Sequence, residues 1–204
     1  GQDSFRQMTA TARLLQDQGN YQEAEQLYRE ALDGRRGKLG DAHMATLSSI
    51  SNLATLLKAQ GKLSEAEPLF QEAIAGKTQH LGKTHPATLT SVNNYAGLLQ
   101  AKGMLQQAEA MYKQALDGRR SQLGDSHSDT LTSINNLASI LMDEGRFSEA
   151  APLFDEALKG CQRSLGGSHP LSLLSMNNVA LLYKAQGRLA ESEPLYREVV
   201  ENAR

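Results

Sequence analysis

Tryptophan is absent from this 204-residue chain, and aromatic residues of all kinds make up only 5%. A core without large rings has to be assembled from Leu, Ala, Ile and Met. Cys161 is the sole cysteine, so no disulfide can form within the chain, and a reducing compartment, the cytoplasm, is the expected location. No run of about 18 apolar residues occurs, so no membrane-spanning helix is expected. No basic-then-apolar leader opens the sequence, so no secretory signal is expected either. Charge of one sign is also lacking: 21 Lys+Arg stand against 23 Asp+Glu, a net charge of −2. Nucleic acid recognition would require a basic stripe and is not expected. No nucleophile elbow, phosphate loop or metal-ligand cluster is present. Neither an enzymatic activity nor a metal or cofactor is expected.

What the chain has in abundance is repetition. Leu-Gly pairs recur every 42 residues, ending at Gly40, Gly82, Gly124 and Gly166. A second glycine series, Gly19, Gly61, Gly103, Gly145 and Gly187, and a histidine series, His43, His85, His127 and His169, keep the same step. Such self-similarity marks an array of stacked supersecondary units rather than one closed domain. Within each repeat, two helix-period apolar runs flank a glycine; in the second repeat these are Leu47, Ile50, Leu53, Ala54 and Leu57, then Leu63, Ala66, Leu69, Phe70, Ala73 and Ile74. First helices are predicted over about 5–18, 44–60, 86–102, 128–144 and 170–186. Second helices are predicted over about 21–37, 63–79, 105–121, 147–163 and 189–203. Paired small residues (Ala12/Ala24, Ala54/Ala66, Ala96/Ala108, Ala138/Ala150, Ala180/Ser192) permit close helix approach.

Two features disturb the ideal pattern. Pro68, Pro152 and Pro194 fall about one turn into their helices, so those helices either begin near Ser64, Ser148 and Glu191 or bend. Gly34, Gly76, Gly118 and Gly160 recur inside the second helices, where each costs about 1 kcal/mol against Ala. The expected compensation is close approach of the next repeat's first helix.

The residues Leu53-Ala54, Leu57, Gly61, Ala66, Phe70 and Ala73 resemble the tetratricopeptide repeat (TPR) signature. The longer period, His85-Pro86-Ala87-Thr88-Leu89, the Asn93-Asn94-Tyr95-Ala96 and Asn135-Asn136-Leu137-Ala138 strings, and Glu65-Ala66-Glu67-Pro68-Leu69-Phe70 are similar to the kinesin light chain type. The resemblance covers residues 5–204. It implies an all-α fold, a right-handed α-solenoid (superhelix) of five TPR helix-turn-helix repeats: about 1–40, 41–82, 83–124, 125–166 and 167–204, forming one array across 1–204. It also implies a protein-interaction module, a scaffold or adaptor that binds an extended peptide or partner segment in a concave groove lined by first helices. In resembling proteins the first Asn of the pair bonds the peptide backbone, since an amide offers both donor and acceptor.

The expected peptide-binding residues are therefore Ser48, Ser51, Thr55, Lys58, Thr90, Asn93, Gln100, Thr132, Asn135, Ser139, Asn177 and Lys184. The second Asn of each pair (Asn52, Asn94, Asn136, Asn178) is expected to bond a neighbouring repeat. The groove so defined is nearly neutral, with Lys58 and Lys184 against Asp143. It suits a polar, uncharged or weakly charged peptide, and Leu174 and Leu181 make its last repeat more apolar. The alternative is a structural spacer or self-associating scaffold, a homodimer paired through terminal residues such as Phe5, Met8, Leu15, Val199 and Val200.

The remaining polar repeats have plainer explanations. Four histidines one repeat apart cannot share a metal ion, whose ligands lie about 2 Å from it; they are expected to fix loops or helix starts. Glu23/Glu25, Glu65/Glu67 and Glu191/Glu193 sit in first turns, where they complement the helix dipole. Arg35-Arg36 and Arg119-Arg120 sit near helix ends, with a convex patch for an acidic partner as the alternative. Cys161 has only Arg163 nearby and lacks the electropositive setting of a reactive thiol.

Overall fold

A computed structural model describes residues 2–202, excluding the side chain of Gln2. Among these, ten helices account for all regular structure: α1 (Gln2–Asp17), α2 (Tyr21–Leu39), α3 (Met44–Ala59), α4 (Leu63–Leu81), α5 (Pro86–Ala101), α6 (Leu105–Leu123), α7 (Ser128–Asp143), α8 (Phe147–Leu165), α9 (Pro170–Ala185) and α10 (Leu189–Asn202). The predicted second helices of the first four repeats are each two residues short, because the helices continue to the Leu of the Leu-Gly pair. Gly82 then takes a φ of 90° and its N–H closes on the Thr78 carbonyl, a termination that a side chain with a Cβ would resist.

The helices fall into two compact units, residues 1–103 and 104–204. In the first, α1 packs on α2, α2 on α3, α3 on α4, and α4 and α3 on α5. In the second, α6 packs on α7, α7 on α8 and α9, α8 on α9, and α9 on α10. The core of the first unit is the expected Leu/Ala/Ile set with Tyr28 and Phe70 added: Ala12, Ala24, Leu47, Ile50, Leu53, Ala54, Leu57, Ala66 and Ala73 are all buried. The small pairs behave as anticipated. Ala12, Ala24, Ala54, Ala66, Ala138, Ala150 and Ala180 have no exposed surface, and Ser192 replaces the alanine of its pair by donating to the Ala180 carbonyl at 2.8 Å.

The histidines His43, His85, His127 and His169 are N-caps. Each Nδ1 accepts the backbone N–H two residues on, at 3.1 Å, which satisfies one of the donors a helix start leaves open. Salt bridges tie successive hairpins: Glu25 to Lys62, Glu67 to Lys102, Arg36 to Glu72, Glu109 to Arg146 and Arg120 to Glu156. Burial alone would raise the Glu25 carboxyl, but bonds from Lys62 and Arg29 hold it at about 2. The Arg36 and Arg120 guanidinia are thus engaged, each also meeting an aspartate, Asp41 or Asp125. Arg35 and Arg119 are buried. The tandem arginines therefore form no free convex patch.

One further expectation is met and one revised. The helices of Pro68, Pro152 and Pro194 begin at Leu63, Phe147 and Leu189, within two residues of the expected starts, and each proline lies inside its helix. All three prolines lie outside the buried core, so the carbonyl each leaves unpaired can turn to water. Gly34, Gly76 and Gly160 serve their own hairpin rather than the next one. A Cβ on Gly34 would fall 2.3 Å from Phe5, on Gly76 2.5 Å from Leu47, and on Gly160 2.4 Å from Leu131. Gly76→Ala is therefore expected to lower stability by about 1 kcal/mol, overpacking outweighing the gain in helix propensity. Gly37 lies in α2 with nothing within 4 Å of an added Cβ, so Gly37→Ala should raise stability by up to about 1 kcal/mol. Urea melts of the pair check the contrast, and a stabilised Gly76→Ala protein would refute the packing explanation.

Candidate functional site

The first helices after α1 are enclosed on several sides, so little of each reaches solvent; α1 packs on α2 and is more open. In α3, which touches α2, α4 and α5, nine residues from Thr46 to Leu57 are buried. What remains open in the body of the helix, apart from the half-buried Lys58 to one side, is the stripe Ser48, Asn52, Thr55 and Ala59, one face at helical spacing. The corresponding stripes are Arg6, Ala10, Arg13 and Asp17 on α1; Thr90, Asn94, Gly97 and Ala101 on α5; Thr132, Asn136, Ser139 and Asp143 on α7; and Leu174, Asn178, Leu181 and Ala185 on α9.

The two asparagines of each pair consequently exchange the places expected of them. Asn135 is only 2% exposed and Asn93 8%. The Asn135 Nδ2 donates to the Ser175 hydroxyl at 2.7 Å and to the Leu131 carbonyl at 3.2 Å. Ser51 occupies the equivalent place in α3: it is 9% exposed and its hydroxyl lies 3.4 Å from that of Ser91. This position joins one first helix to the next. The second asparagines, Asn52, Asn94, Asn136 and Asn178, are half-buried and sit on the open stripe. Asn178 does also reach back to the preceding hairpin, donating to the Asn135 Oδ1 at 3.4 Å.

The other expected site residues divide by the same stripe. Ser48 and Thr90 are exposed on it, and Thr55, Thr132 and Ser139 are half-buried on it. The hydroxyls of Ser48, Thr55, Thr90 and Thr132 donate to the carbonyl one turn earlier. Lys58, Gln100, Asn177 and Lys184 lie off it, Lys58, Gln100 and Asn177 half-buried and Lys184 exposed. Burial pushes the Lys58 ammonium below its ordinary range.

Beneath the stripes, each unit holds buried polar pairs between a second helix and the first helix that follows it. Second helices contribute Arg35, Lys77, Arg119 and Cys161; the following first helices contribute Ser49, Ser91, Ser133 and Ser175. Arg35 bonds Ser49, Lys77 bonds Ser91 at 2.8 Å, Arg119 bonds Ser133 at 2.8 Å, and Cys161 lies 3.5 Å from Ser175. Burial raises the Cys161 thiol, which leaves it the inert core residue expected. Among the described residues, no cluster of His, Cys, Asp or Glu could hold a metal ion, and no helix is long and apolar enough to cross a membrane.

In the first unit the open stripes frame a cleft of about 600 Å³, lined chiefly by Arg6, Arg13, Gln16, Asp17, Tyr28, Arg35, Asn52, Thr55 and Asn94. This cleft is not neutral. The α1 residues at the positions of Ser48 and Thr55 are Arg6 and Arg13. Sequence reasoning began the ladder at α3 and missed them, although shifting it by one period would have found them. Arg35 was legible only as a helix-end cation. Of the candidates for self-association, two are packed within the chain and three are open in part or in full. Phe5 packs against Gly34 and under the Lys38 ammonium, Leu15 packs on the core, and Met8 and Val199 are half-buried while Val200 is exposed.

Hairpins of this geometry, packed through small-residue pairs and repeated every 42 residues, define an all-α solenoid of repeats. The chain belongs to the tetratricopeptide repeat family, whose models match residues 8–79, 129–204 and, in a second form, 88–129. Among solved structures it is similar to a putative kinesin light chain of Podosopora anserina with nearly identical TPR-like repeats, at 27% identity over 99% of this chain and 96% of that one, with a TM-score of 0.78. A point variant of that protein gives 28% identity over 97% and 93%, with the same TM-score of 0.78. BtubC (BKLC) from P. vanneervenii shares the fold at 22% identity over 97% and 78%, TM-score 0.78. No curated protein sequence matches the chain.

Proposed function

We propose that this chain is a protein-docking module, a scaffold or adaptor rather than an enzyme, and that it receives an extended partner segment on the open stripes of its first helices. The observation that carries this reading is the stripe itself. Enclosed first helices each leave a narrow file of side chains open, and Asn recurs in it, at Asn52 and Asn94 in the first unit and at Asn136 and Asn178 in the second. A half-buried primary amide can donate to and accept from any peptide group, so a file of them grips backbone without dictating side chains. The Ser, Thr, Arg and Leu residues between the amides then set preference. Family membership supports the same reading, since repeat arrays of this kind offer extended surfaces to partners.

The test is Asn52→Ala with Asn94→Ala, probed on an immobilised library of extended peptides. Capture by the parent chain is expected on a subset of peptides, and its loss in the double variant, with the melting temperature nearly unchanged because both amides face the cleft. Undiminished capture would remove the asparagine file from the site. Capture of no peptide by the parent would remove the docking surface altogether.

A further inference from the structure

The cleft of the first unit carries a feature that peptide docking alone does not require. Three arginines converge on it: Arg6 and Arg13 from α1 and Arg35 from α2. Asp17 is the one carboxylate among the lining residues. Among the described residues, none of the three arginines takes part in an ion pair, whereas Arg29, Arg36, Arg120, Arg146, Arg188 and Arg197 all do. Arg35 is 8% exposed, and its charge is met only by the Ser49 hydroxyl. Desolvation, then repulsion from Arg6, pushes its pKa down. A buried cation without an anion is costly unless something supplies one. Among the buried pairs Lys77 is also held by hydroxyls alone, but it does not line the cleft. Arg35 does, with two exposed guanidinia beside it.

We propose that this cleft binds an acidic segment of a protein partner, with successive Asp or Glu side chains of an extended chain meeting Arg13, Arg6 and the buried Arg35. The proposal rests on the docking reading above and names its ligand chemistry. Arg6 and Arg13 are two helical turns apart, about 10 Å along the axis, and an extended chain covers that distance in about three residues. Acidic residues at every second or third position therefore reach both. The guanidinium fork pairs with a carboxylate through two parallel bonds. Asn52 and Asn94, on the same cleft, are placed to take the backbone between them. The same two stripe positions carry hydroxyl or small residues on α3, α5 and α7, and leucines on α9, so the acidic preference belongs to the first hairpin.

Three fluorescein-labelled synthetic peptides of equal length, in which Glu, Gln or Lys alternates with Ser, test this on the full chain by fluorescence anisotropy. The Glu peptide is expected to bind about tenfold or more tighter than the Gln peptide at low salt and to lose that advantage as salt screens the arginines. In an Arg6→Glu, Arg13→Glu variant the preference should reverse toward the Lys peptide. Both arginines are exposed, so the far-ultraviolet circular dichroism melt should match that of the parent. Equal affinity for the Glu and Gln peptides, or a preference surviving the double reversal, overturns the inference and leaves the docking reading intact. Binding of none of the three peptides overturns both. Displacement of the Glu peptide by millimolar inorganic phosphate as readily as by unlabelled peptide overturns the assignment to a protein segment in favour of a free anion.

Discussion

Lys77→Met is expected to raise the stability of the chain near neutral pH by about 1–3 kcal/mol and to remove most of the rise in stability expected of the parent toward alkaline pH. Lys77 is 5% exposed in α4, with its ammonium held by the Ser51 and Ser91 hydroxyls at 2.8 Å each. No carboxylate among the described residues pairs with it. Burial pushes its pKa down from 10.5 to about 8. The sign follows from linkage. The folded state gives up the proton more readily than the unfolded chain, so the full cost of the buried charge is present below about pH 8 and disappears as pH rises toward the unfolded value. A shift of that size corresponds to about 3 kcal/mol.

Tyrosines oppose this at higher pH. Burial, helped by Asp143, pushes the Tyr112 hydroxyl up to about 12, which removes stability once free tyrosine ionises near pH 10. The measurement is therefore urea unfolding between about pH 7 and pH 9.5, where the parent should gain more stability than Lys77→Met, which keeps only the smaller rise from Lys58. A parent whose stability is flat over that range would refute the account of Lys77.

Asn135→Ala costs about 2 kcal/mol, while Asn177→Ala costs a few tenths. Both are first asparagines of their pairs, and a ligand ladder built from that position would let either be replaced without loss of stability. In the structure Asn135 is a buried strut between α7 and α9. Its removal deprives the Ser175 hydroxyl of a donor and the Asn178 amide of an acceptor, and leaves a void where the amide stood. Asn177 follows on a half-buried face of α9. Thermal melts of the two variants decide the point: equal melting temperatures would return the first asparagines to the surface.

The contrast shows how far residue order reaches in this protein. The period, the ten helices, the glycine turns and the histidine positions were all legible, because each depends on local chemistry repeated every 42 residues. The apolar face of α3 was legible too, as Ile50, Leu53, Ala54 and Leu57. What it concealed was width. A helix packed on one side leaves more than half its circumference to solvent, and on that assumption Ser51 and Asn93 read as open. Here α3 is touched by α2, α4 and α5, so Ser49 and Ser51 are buried with the leucines.

Neighbouring residues on a helix point about 100° apart. Enclosure from additional sides moves the open stripe by one residue, and one residue separates Asn93 from Asn94. The interior glycines carry the same lesson: their spacing announced a close approach, but only the packed hairpin shows that Phe5, Leu47 and Leu131 of the same repeat fill the space.

Sequence by itself determined the architecture, since helix period, caps and turns act within one repeat and are copied into the next. Tertiary structure decided which amide of each pair is open, and that the first hairpin gathers Arg6, Arg13 and Arg35 on one cleft. Those outcomes depend on how many neighbours each helix has and on which side chains distant in the chain share a wall, and neither is written in the spacing of residues along one helix.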